Sequence, residues 1–483
     1  MKRKFITNLG FLLLLNLIIK PVYVFGIDRV VQNSVGAEVY GQYFTLFNIA
    51  IIFQIFLDLG IESFIRKEIA RHPEKASGFF SNIVILKLLL LVPYLIVCLS
   101  VAFLKGISKD NYLLLFLILF NQFLASFILF LRANLGGFQF FKTESIISVL
   151  DRTLMILVVG FLLLYPITRF MFRITWFVMA QTLAYGITLI IGLTFLFKKT
   201  GRISGEVKLK HLLPIIGQLK PFALLVLLMA LYYRADSIFL SLLLADGDEQ
   251  AGIFAHGFRI LDFMSNYALL FPILLLPIFS RTIHLKQRID GLLELSALLL
   301  IVPSLSVIAP AILYRQELFG ILYKEYIELS ANSFAILTVS FLGMCISYTF
   351  GALLTANGNL KQLNIMAGTA VILNISLNLI LVPRYKVIGA SMANALSQVF
   401  TIIVHIVLTT RIFHLKFNYK IPIKLIAYIA FLILAALVVK KTDVHWLLGS
   451  AILFTTSFAM ALTIGLISPK GILLILRQEE IDR

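Results

Sequence analysis

Charged residues are scarce in this chain of 483 residues, of which only 14% are Asp, Glu, Lys or Arg. A typical soluble domain carries about 25%. Hydrophobic residues make up 60% of the chain, and the mean hydropathy is +0.98. A water-soluble fold of this length could not hide so much apolar surface, so most of the chain has lipid as its solvent. The composition therefore predicts an all-α integral membrane protein.

Cysteines and familiar enzyme motifs are also rare or missing. Cys98 and Cys345, the two cysteines, each lie inside an apolar stretch, where we expect small helix-packing residues and not a disulfide or a metal site. The sequence contains neither a G-x-x-x-x-G-K-[ST] phosphate loop nor an H-E-x-x-H zinc motif. It also lacks the long extramembrane loop that a membrane glycosyltransferase or polymerase would need. We therefore expect a protein that is not an enzyme and that uses no cofactor and no metal.

Apolar segments long enough to cross a hydrocarbon layer of about 30 Å follow one another along the chain, and we count about fourteen. They lie at roughly 7–27, 42–61, 78–104, 112–131, 144–165, 174–197, 218–244, 251–278, 292–314, 330–354, 362–382, 388–410, 422–439 and 444–468. Lys and Arg are about twice as frequent in the loops on the side of both termini as in the other loops, which predicts cytoplasmic termini. The same rule explains the net charge of +18, so we expect no nucleic acid as a partner.

A basic segment at 201–217 divides the chain after the sixth span. We expect an N-terminal bundle at 1–200, a cytoplasmic linker at 201–217, a C-terminal bundle at 218–420, and two last helices with a cytoplasmic tail at 421–483. A short internal repeat supports this division, since VYGQY at 39–43 and QAGIF at 250–254 each lie where a helix begins. Transporters built from such repeats place the substrate site between the two halves.

Three stretches carry a family resemblance. The sequences VGAEVYGQY at 35–43, DLG at 58–60 and RKEIA at 66–70 resemble the first hairpin of polysaccharide flippases. The sequences YYRAD at 232–236 and AGIF at 251–254 resemble their seventh and eighth helices, and NLILVPRY at 378–385 with IGAS at 388–391 resembles the turn between helices eleven and twelve. These flippases belong to the multidrug/oligosaccharidyl-lipid/polysaccharide exporter superfamily. Lys386 departs from the pattern, because that turn usually has a small residue, often Gly.

The resemblance implies a fold and a function. The fold would be two six-helix bundles in a V around a central cavity, plus two C-terminal helices. The function would be to flip polyprenyl-pyrophosphate-linked oligosaccharide repeat units across the cytoplasmic (inner) membrane by alternating access, for O-antigen of lipopolysaccharide, capsule or exopolysaccharide. The expected partners are the lipid-linked oligosaccharide and membrane lipid, together with a polysaccharide polymerase and glycosyltransferases that act on the same lipid-linked intermediate. The flippase itself is expected to be a monomer. The alternatives are a multidrug or metabolite exporter coupled to a cation, and a lipid II flippase.

Charged side chains inside the predicted spans are the candidate functional residues, since charge at bilayer depth is costly and usually faces a cavity or a partner. We expect Lys20, Arg234 and Arg259 to make the cavity positive and to bind the pyrophosphate. Asp236 and Asp262 are the candidate carboxylates for coupling to an ion gradient. As an alternative, Arg259 and Asp262 only pair with each other, because they lie one helical turn apart.

Further charged residues lie nearer the cytoplasmic ends of their spans. With His405, they are Asp58, Lys87, Asp151, Arg152 and Glu294. We interpret them as side chains that reach the interface or that form local pairs.

Overall fold

The computed structural model describes residues 14–62, 65, 66, 69, 76–108, 111–200, 213–415 and 419–467. Regular structure within these ranges is entirely helical. The chain forms two compact units, residues 1–255 and 256–483. The predicted linker at 201–217, the predicted tail and the RKEIA motif lie partly outside the described residues, and the predicted four-part division stays a prediction.

The first unit is built mainly from long helices joined by short turns. The helices are α1 (14–35, with a π-helical segment Val22–Asp28), α2 (Ala37–Ile52), α3 (Ile55–Asp58), α4 (Ala76–Leu104), α5 (Tyr112–Gly137), α6 (Phe141–Leu164), α7 (Pro166–Phe170), α8 (Ile174–Thr200), α9 (Leu213–Arg234) and α10 (Asp236–Leu243). Helix α1 continues past the predicted span end at residue 27 and stops only at Gly36, whose φ of 82° is outside the helical region. Asp28 therefore lies inside the first helix and not beyond it.

The second unit contains the rest of the helices. They are α11 (Gly247–Ala268, which begins in the first unit), α12 (Leu270–His284), α13 (Asp290–Leu313), α14 (Arg315–Leu322), α15 (Ile327–Ala356), α16 (Leu360–Phe413), α17 (Lys420–Lys441) and α18 (Trp446–Thr463). Buried aliphatic and aromatic side chains of α13, α17 and α18 pack into one cluster around Tyr428, whose hydroxyl is 2.7 Å from the Ser306 hydroxyl.

Membrane-crossing helices are found along most of the chain. In the described ranges, 10 helices are long and apolar enough to cross a bilayer, or 11 when α9 and α10, which meet at a 50° bend, are taken as one broken span. Helix α16 covers two predicted spans, 362–382 and 388–410. The all-α membrane fold is confirmed, while the number fourteen remains a prediction.

Helix α16 is interrupted at Lys386, where the backbone has φ 50° and ψ −128°. A Cβ atom added to Gly389 would overlap the carbonyl group of Leu381. In an unbroken helix these residues would be about 12 Å apart along the axis. The chain therefore turns back on itself here, at the turn that the sequence resemblance placed between helices eleven and twelve.

Substituting Lys386 with glycine is expected to stabilise the protein by about 1 kcal/mol. The observed φ and ψ cost a residue with a Cβ atom about 1–3 kcal/mol, and glycine regains part of this, less its larger unfolded-state entropy. The thermal unfolding midpoint of the purified protein measures the change. The control Lys386→Ala loses the side chain but keeps the unfavourable backbone, so equal midpoints for the two variants would contradict the explanation.

Lys87 lies in the interior of the first unit, with 1% of its side chain exposed. Its ammonium group donates to the Leu57 carbonyl at 2.9 Å and the Ser126 hydroxyl at 2.6 Å, and lies 3.6 Å from Asp58 Oδ1. Helix α3 ends here because Leu59 is left-handed, with φ 48°. Lys87 thus ties α4 and α5 to the end of α3, which agrees with local pairing and not with an interfacial side chain.

Replacing Lys87 with methionine is expected to destabilise the protein by about 3 kcal/mol, since it leaves a largely buried carboxylate without its counter-charge. The double variant Lys87→Met/Asp58→Asn should be more stable than Lys87→Met alone, because it removes that carboxylate charge. Thermal unfolding of the two single variants and the double variant forms a double-mutant cycle. Simple additivity of the two changes would show that the pair does not interact.

Candidate functional site

Helix α1 changes from α-helical to π-helical directly after Pro21. Proline has no N–H group and its ring crowds the carbonyl of the preceding turn, so a regular α-helix cannot pass through it unchanged. π-Helical segments absorb such irregularities and are frequent at functional sites. The segment positions Lys20 before it, Tyr23 within it and Asp28 at its end. Helix α1 is therefore irregular directly beside Lys20.

Three cations lie together in the first unit, and we call Lys20, Arg132 and Arg152 the cationic cluster. Arg152, Arg132 and Asp151 are near enough to the Lys20 ammonium group for their charges to affect it, the two arginines by repulsion and the aspartate by attraction. Arg152 Nε is 3.7 Å from Asp151 Oδ2. Glu62 is a second carboxylate, near Arg132, so three cations against two carboxylates leave the cluster with a net positive charge.

Arg152 is held deep in the unit by aromatic rings. Its guanidinium group stacks over the Tyr23 ring at 4.6 Å, and the hydroxyls of Tyr185 and Tyr43 are also among its polar surroundings. About a third of the side chain is nevertheless accessible, 29%. Arg132 Nε is buried and has no hydrogen-bond partner among the described residues. A partly accessible guanidinium group with further cations beside it suits phosphate oxygens.

Arg152 and Arg132 are absent from the predicted site. In the sequence, Arg152 lies nearer the cytoplasmic end of the predicted span 144–165, and Arg132 follows the predicted span 112–131. Position along a predicted span was the available guide to depth in the membrane, so neither residue was assigned to the site. Only the packing of α6 against the π-helical segment of α1 brings Arg152 to Tyr23. A usable signal was the adjacent charged pair Asp151-Arg152 in an otherwise apolar stretch, which is costly unless it faces a cavity.

Arg234 and Asp236 flank a break in the predicted seventh span. Arg234 is the last residue of α9 and Asp236 the first of α10, so each charge lies at the helix end whose dipole it complements. Arg234 Nη1 donates to Asn48 Oδ1 at 3.1 Å, and Asn48 Nδ2 donates to the Ser237 hydroxyl at 2.9 Å. Asp236 is fully buried.

Arg259 and Asp262 belong to the second unit, on α11, where both side chains are half-buried. They lie one turn apart, as the sequence spacing requires. The predicted residues thus occupy three places: Lys20 in the cationic cluster, Arg234 and Asp236 at the α9–α10 break, and Arg259 and Asp262 on α11. Their roles stay predictions.

Comparisons with known proteins agree on family and fold. A profile described as polysaccharide biosynthesis protein matches residues 5–283. A search of curated proteins finds no matching sequence. Among solved structures, the lipid II flippase MurJ in an inward closed conformation is similar, with a TM-score of 0.70 and 14% identity over 93% of this chain and 98% of that chain.

Two further structures share the fold. A transporter of the multidrug/oligosaccharidyl-lipid/polysaccharide exporter superfamily from Pyrococcus furiosus has a TM-score of 0.61 and 18% identity, over 84% of this chain and 95% of that chain. An inward-facing multidrug resistance transporter of the same superfamily has a TM-score of 0.62 and 17% identity, over 80% of this chain and 94% of that chain. The fold is therefore that of a multi-pass membrane transporter.

Proposed function

Because the chain belongs to the polysaccharide biosynthesis protein family, we propose that it flips polyprenyl-pyrophosphate-linked oligosaccharide repeat units from the cytoplasmic to the outer leaflet. The cytoplasmic membrane is its proposed location, with both termini in the cytoplasm. A polysaccharide polymerase and glycosyltransferases would act on the same lipid intermediate. The observation that carries the proposal is the cationic cluster, an accessible group of three cations inside an apolar bundle.

A pyrophosphate brings several negative charges, and its oxygens accept only. Lys20 and the partly accessible Arg152 supply charged donors, and Arg132 adds a third positive charge close by. Each hydrogen bond to a charged group contributes about 1.5–3 kcal/mol. Since the hydrocarbon core offers no water, the headgroup of the cargo needs such donors to leave the membrane surface, while its polyprenyl tail stays in lipid.

The other predicted residues keep proposed roles along the path. Arg234 and Arg259 are further cationic contacts for the cargo, and Asp236 and Asp262 are candidate coupling carboxylates. Neutral substitution of both aspartates tests the last role. Transport with unchanged rate and unchanged pH dependence in that double variant would reject it.

Two alternatives make different demands on the cationic cluster. A cationic drug would be repelled by Lys20 and Arg152, so the cluster disfavours the drug exporter. Lipid II also carries a pyrophosphate, so the cluster suits a lipid II flippase equally well. The glycan that accumulates without the protein distinguishes these cargoes.

Gene deletion in the native host, followed by extraction and mass analysis of polyprenyl-linked glycans, tests the proposal. We expect a complete lipid-linked repeat unit to accumulate and the surface polymer to disappear, with rescue by the wild-type gene. Accumulation of lipid II with normal surface polymer would move the assignment to the lipid II flippase. Unchanged glycan lipids together with new sensitivity to cationic dyes would reject flipping.

A further inference from the structure

A groove runs between four helices of the second unit. It has a volume of about 250 Å³ and is lined by side chains of α13, α15, α16 and α17. Most of these side chains are apolar, with Ala297, Phe350 and Leu425 among them. The carboxylates of Asp290 and Glu294 line one end of the groove, on the first turns of α13. The groove therefore combines an apolar channel with an acidic end.

The groove separates two hydrophobic clusters that share helix α13. Leu298 belongs to a cluster with side chains of α17 and α18, and Leu293 belongs to a cluster with side chains of α12 and α15. Both leucines also line the groove. Because protein interiors are close-packed, the walls of a channel of this size lose dispersion contacts unless apolar atoms fill it. An apolar chain is the ligand that suits such walls.

The length of the groove matches one leaflet of a bilayer. Along α13 its lining extends from Asp290 to Ile301, which is about 16 Å at about 1.5 Å per residue. Half of a hydrocarbon core of about 30 Å is about 15 Å. The acidic end lies beside the connection between α12 and α13, which carries Lys286 and Arg288 and is proposed to be cytoplasmic. The groove thus has the length and depth of a lipid chain whose headgroup lies at the cytoplasmic surface.

Charges of both signs surround this end of the groove. Asp290 and Glu294 lie one helical turn apart on α13. Arg411 and Lys420 are exposed, and each directly adjoins a lining residue in the chain. A headgroup with an ammonium group and a phosphodiester complements this arrangement, since carboxylates accept from the ammonium group and cations donate to the phosphate oxygens. A pyrophosphate carries only negative charge and would be repelled by the two carboxylates, so the groove does not suit the headgroup of the cargo.

We propose that this groove binds one phosphatidylethanolamine molecule of the cytoplasmic leaflet, with an acyl chain in the channel and the ammonium group at Asp290 and Glu294. The ammonium group of this lipid has three N–H donors, whereas a choline headgroup has none. The two carboxylates therefore distinguish two lipids that have the same net charge. The bound chain fills the space between the two clusters, so the lipid stabilises the folded protein by mass action. This inference does not depend on the identity of the cargo.

Native mass spectrometry of the full chain measures the bound lipid. The protein is exposed to equal amounts of phosphatidylethanolamine, phosphatidylcholine and phosphatidylglycerol with identical acyl chains. We expect one retained phosphatidylethanolamine molecule and a preference of about tenfold over phosphatidylcholine, the factor that one hydrogen bond to a charged group provides. The thermal unfolding midpoint should also be higher with phosphatidylethanolamine than with phosphatidylcholine.

Variants at the acidic end test the headgroup contact. Asp290→Asn/Glu294→Gln should remove the preference for phosphatidylethanolamine and leave lipid retention itself in place. The matched control is Glu317→Gln/Glu328→Gln, which neutralises two exposed carboxylates of the same unit that do not line the groove. The control should keep the preference.

Variants in the channel test the acyl chain. Ala297→Leu places three more carbon atoms in the groove, so it should lower the retention of every lipid several-fold. Ala427→Leu adds the same atoms at an exposed position of α17 and should leave retention unchanged.

The wild-type protein alone decides the proposal, so the test does not rely on the folding of any variant. Equal retention of phosphatidylethanolamine and phosphatidylcholine, or preferential retention of phosphatidylglycerol, would overturn the headgroup assignment. Absence of any retained lipid would overturn the site. Displacement of the retained lipid by farnesyl pyrophosphate would assign the groove to the cargo and would also overturn the proposal.

Discussion

Replacing Arg152 with glutamine is expected to lower the flipping rate of lipid-linked oligosaccharide by roughly ten- to a hundredfold. The substitution removes a guanidinium group that is held over Tyr23 and is still accessible to the cargo. A lost hydrogen bond between charged groups costs about 1.5–3 kcal/mol, which corresponds to that factor. Rates of transfer in reconstituted vesicles, or surface polymer restored in a deletion strain at matched expression, measure the effect. Lys20→Gln should act in the same direction.

Arg169→Gln is the matched control, because Arg169 is an exposed arginine on the short helix α7. It should leave the rate unchanged. Arg152→Lys keeps the charge but loses the planar, stacked donor, so an intermediate rate is expected. Equal rates for Arg152→Gln and Arg169→Gln would show that the cationic cluster does not bind the cargo.

Adding a methyl group at Gly252 or Gly41 should destabilise the protein by about 3 kcal/mol. A Cβ atom at Gly41 would overlap the Asp248 carbonyl group and the Gly252 amide, and one at Gly252 would overlap the Ala37 carbonyl. These obstacles are backbone atoms, so no change of side-chain rotamer relieves them. Helices α2 and α11 therefore cross at glycine, beside the 2.9 Å ion pair of Lys105 and Asp248.

The unfolding midpoints of Gly41→Ala and Gly252→Ala should fall by roughly 5 °C or more. Gly186→Ala is the control, because an added Cβ there meets nothing within 4 Å. Alanine in the interior of a helix is favoured over glycine by about 0.5–1 kcal/mol, so Gly186→Ala should be slightly more stable than the wild type. A Gly252→Ala protein as stable as Gly186→Ala would contradict the close crossing.

This crossing gives a physical basis for a pattern that the sequence showed only weakly. Gly41 and Gly252 occupy the same position in the short repeat VYGQY and QAGIF. In the structure each of these glycines meets the backbone of the helix that carries the other. The repeat was interpreted as a sign of two related halves. Its glycines also allow α2 and α11 to approach each other closely, and the sequence pattern alone does not show this contact.

The membrane class, the helical fold and the family followed from the sequence. Lipid solvates apolar side chains and no backbone groups, so long apolar runs in series leave helices as the structure that satisfies them. The turn at Lys386 was also foreseen from the motif around Pro383, and the broken span at Arg234 and Asp236 carries the charges that the sequence singled out.

Tertiary packing decided which residues form the cationic cluster. Helices that contact lipid on one side and protein on the other are apolar all round, so their sequences do not show which face meets which neighbour. That ambiguity hid the cluster of Lys20 with Arg132 and Arg152, which needs α1, α5 and α6 together. Asp28 lies just beyond the first predicted span, whereas in the structure α1 continues through it and its carboxylate contacts Tyr40 and Gln32. The sequence alone determined a membrane transporter with charges to bury, and the contacts between its helices determined which of those charges meet.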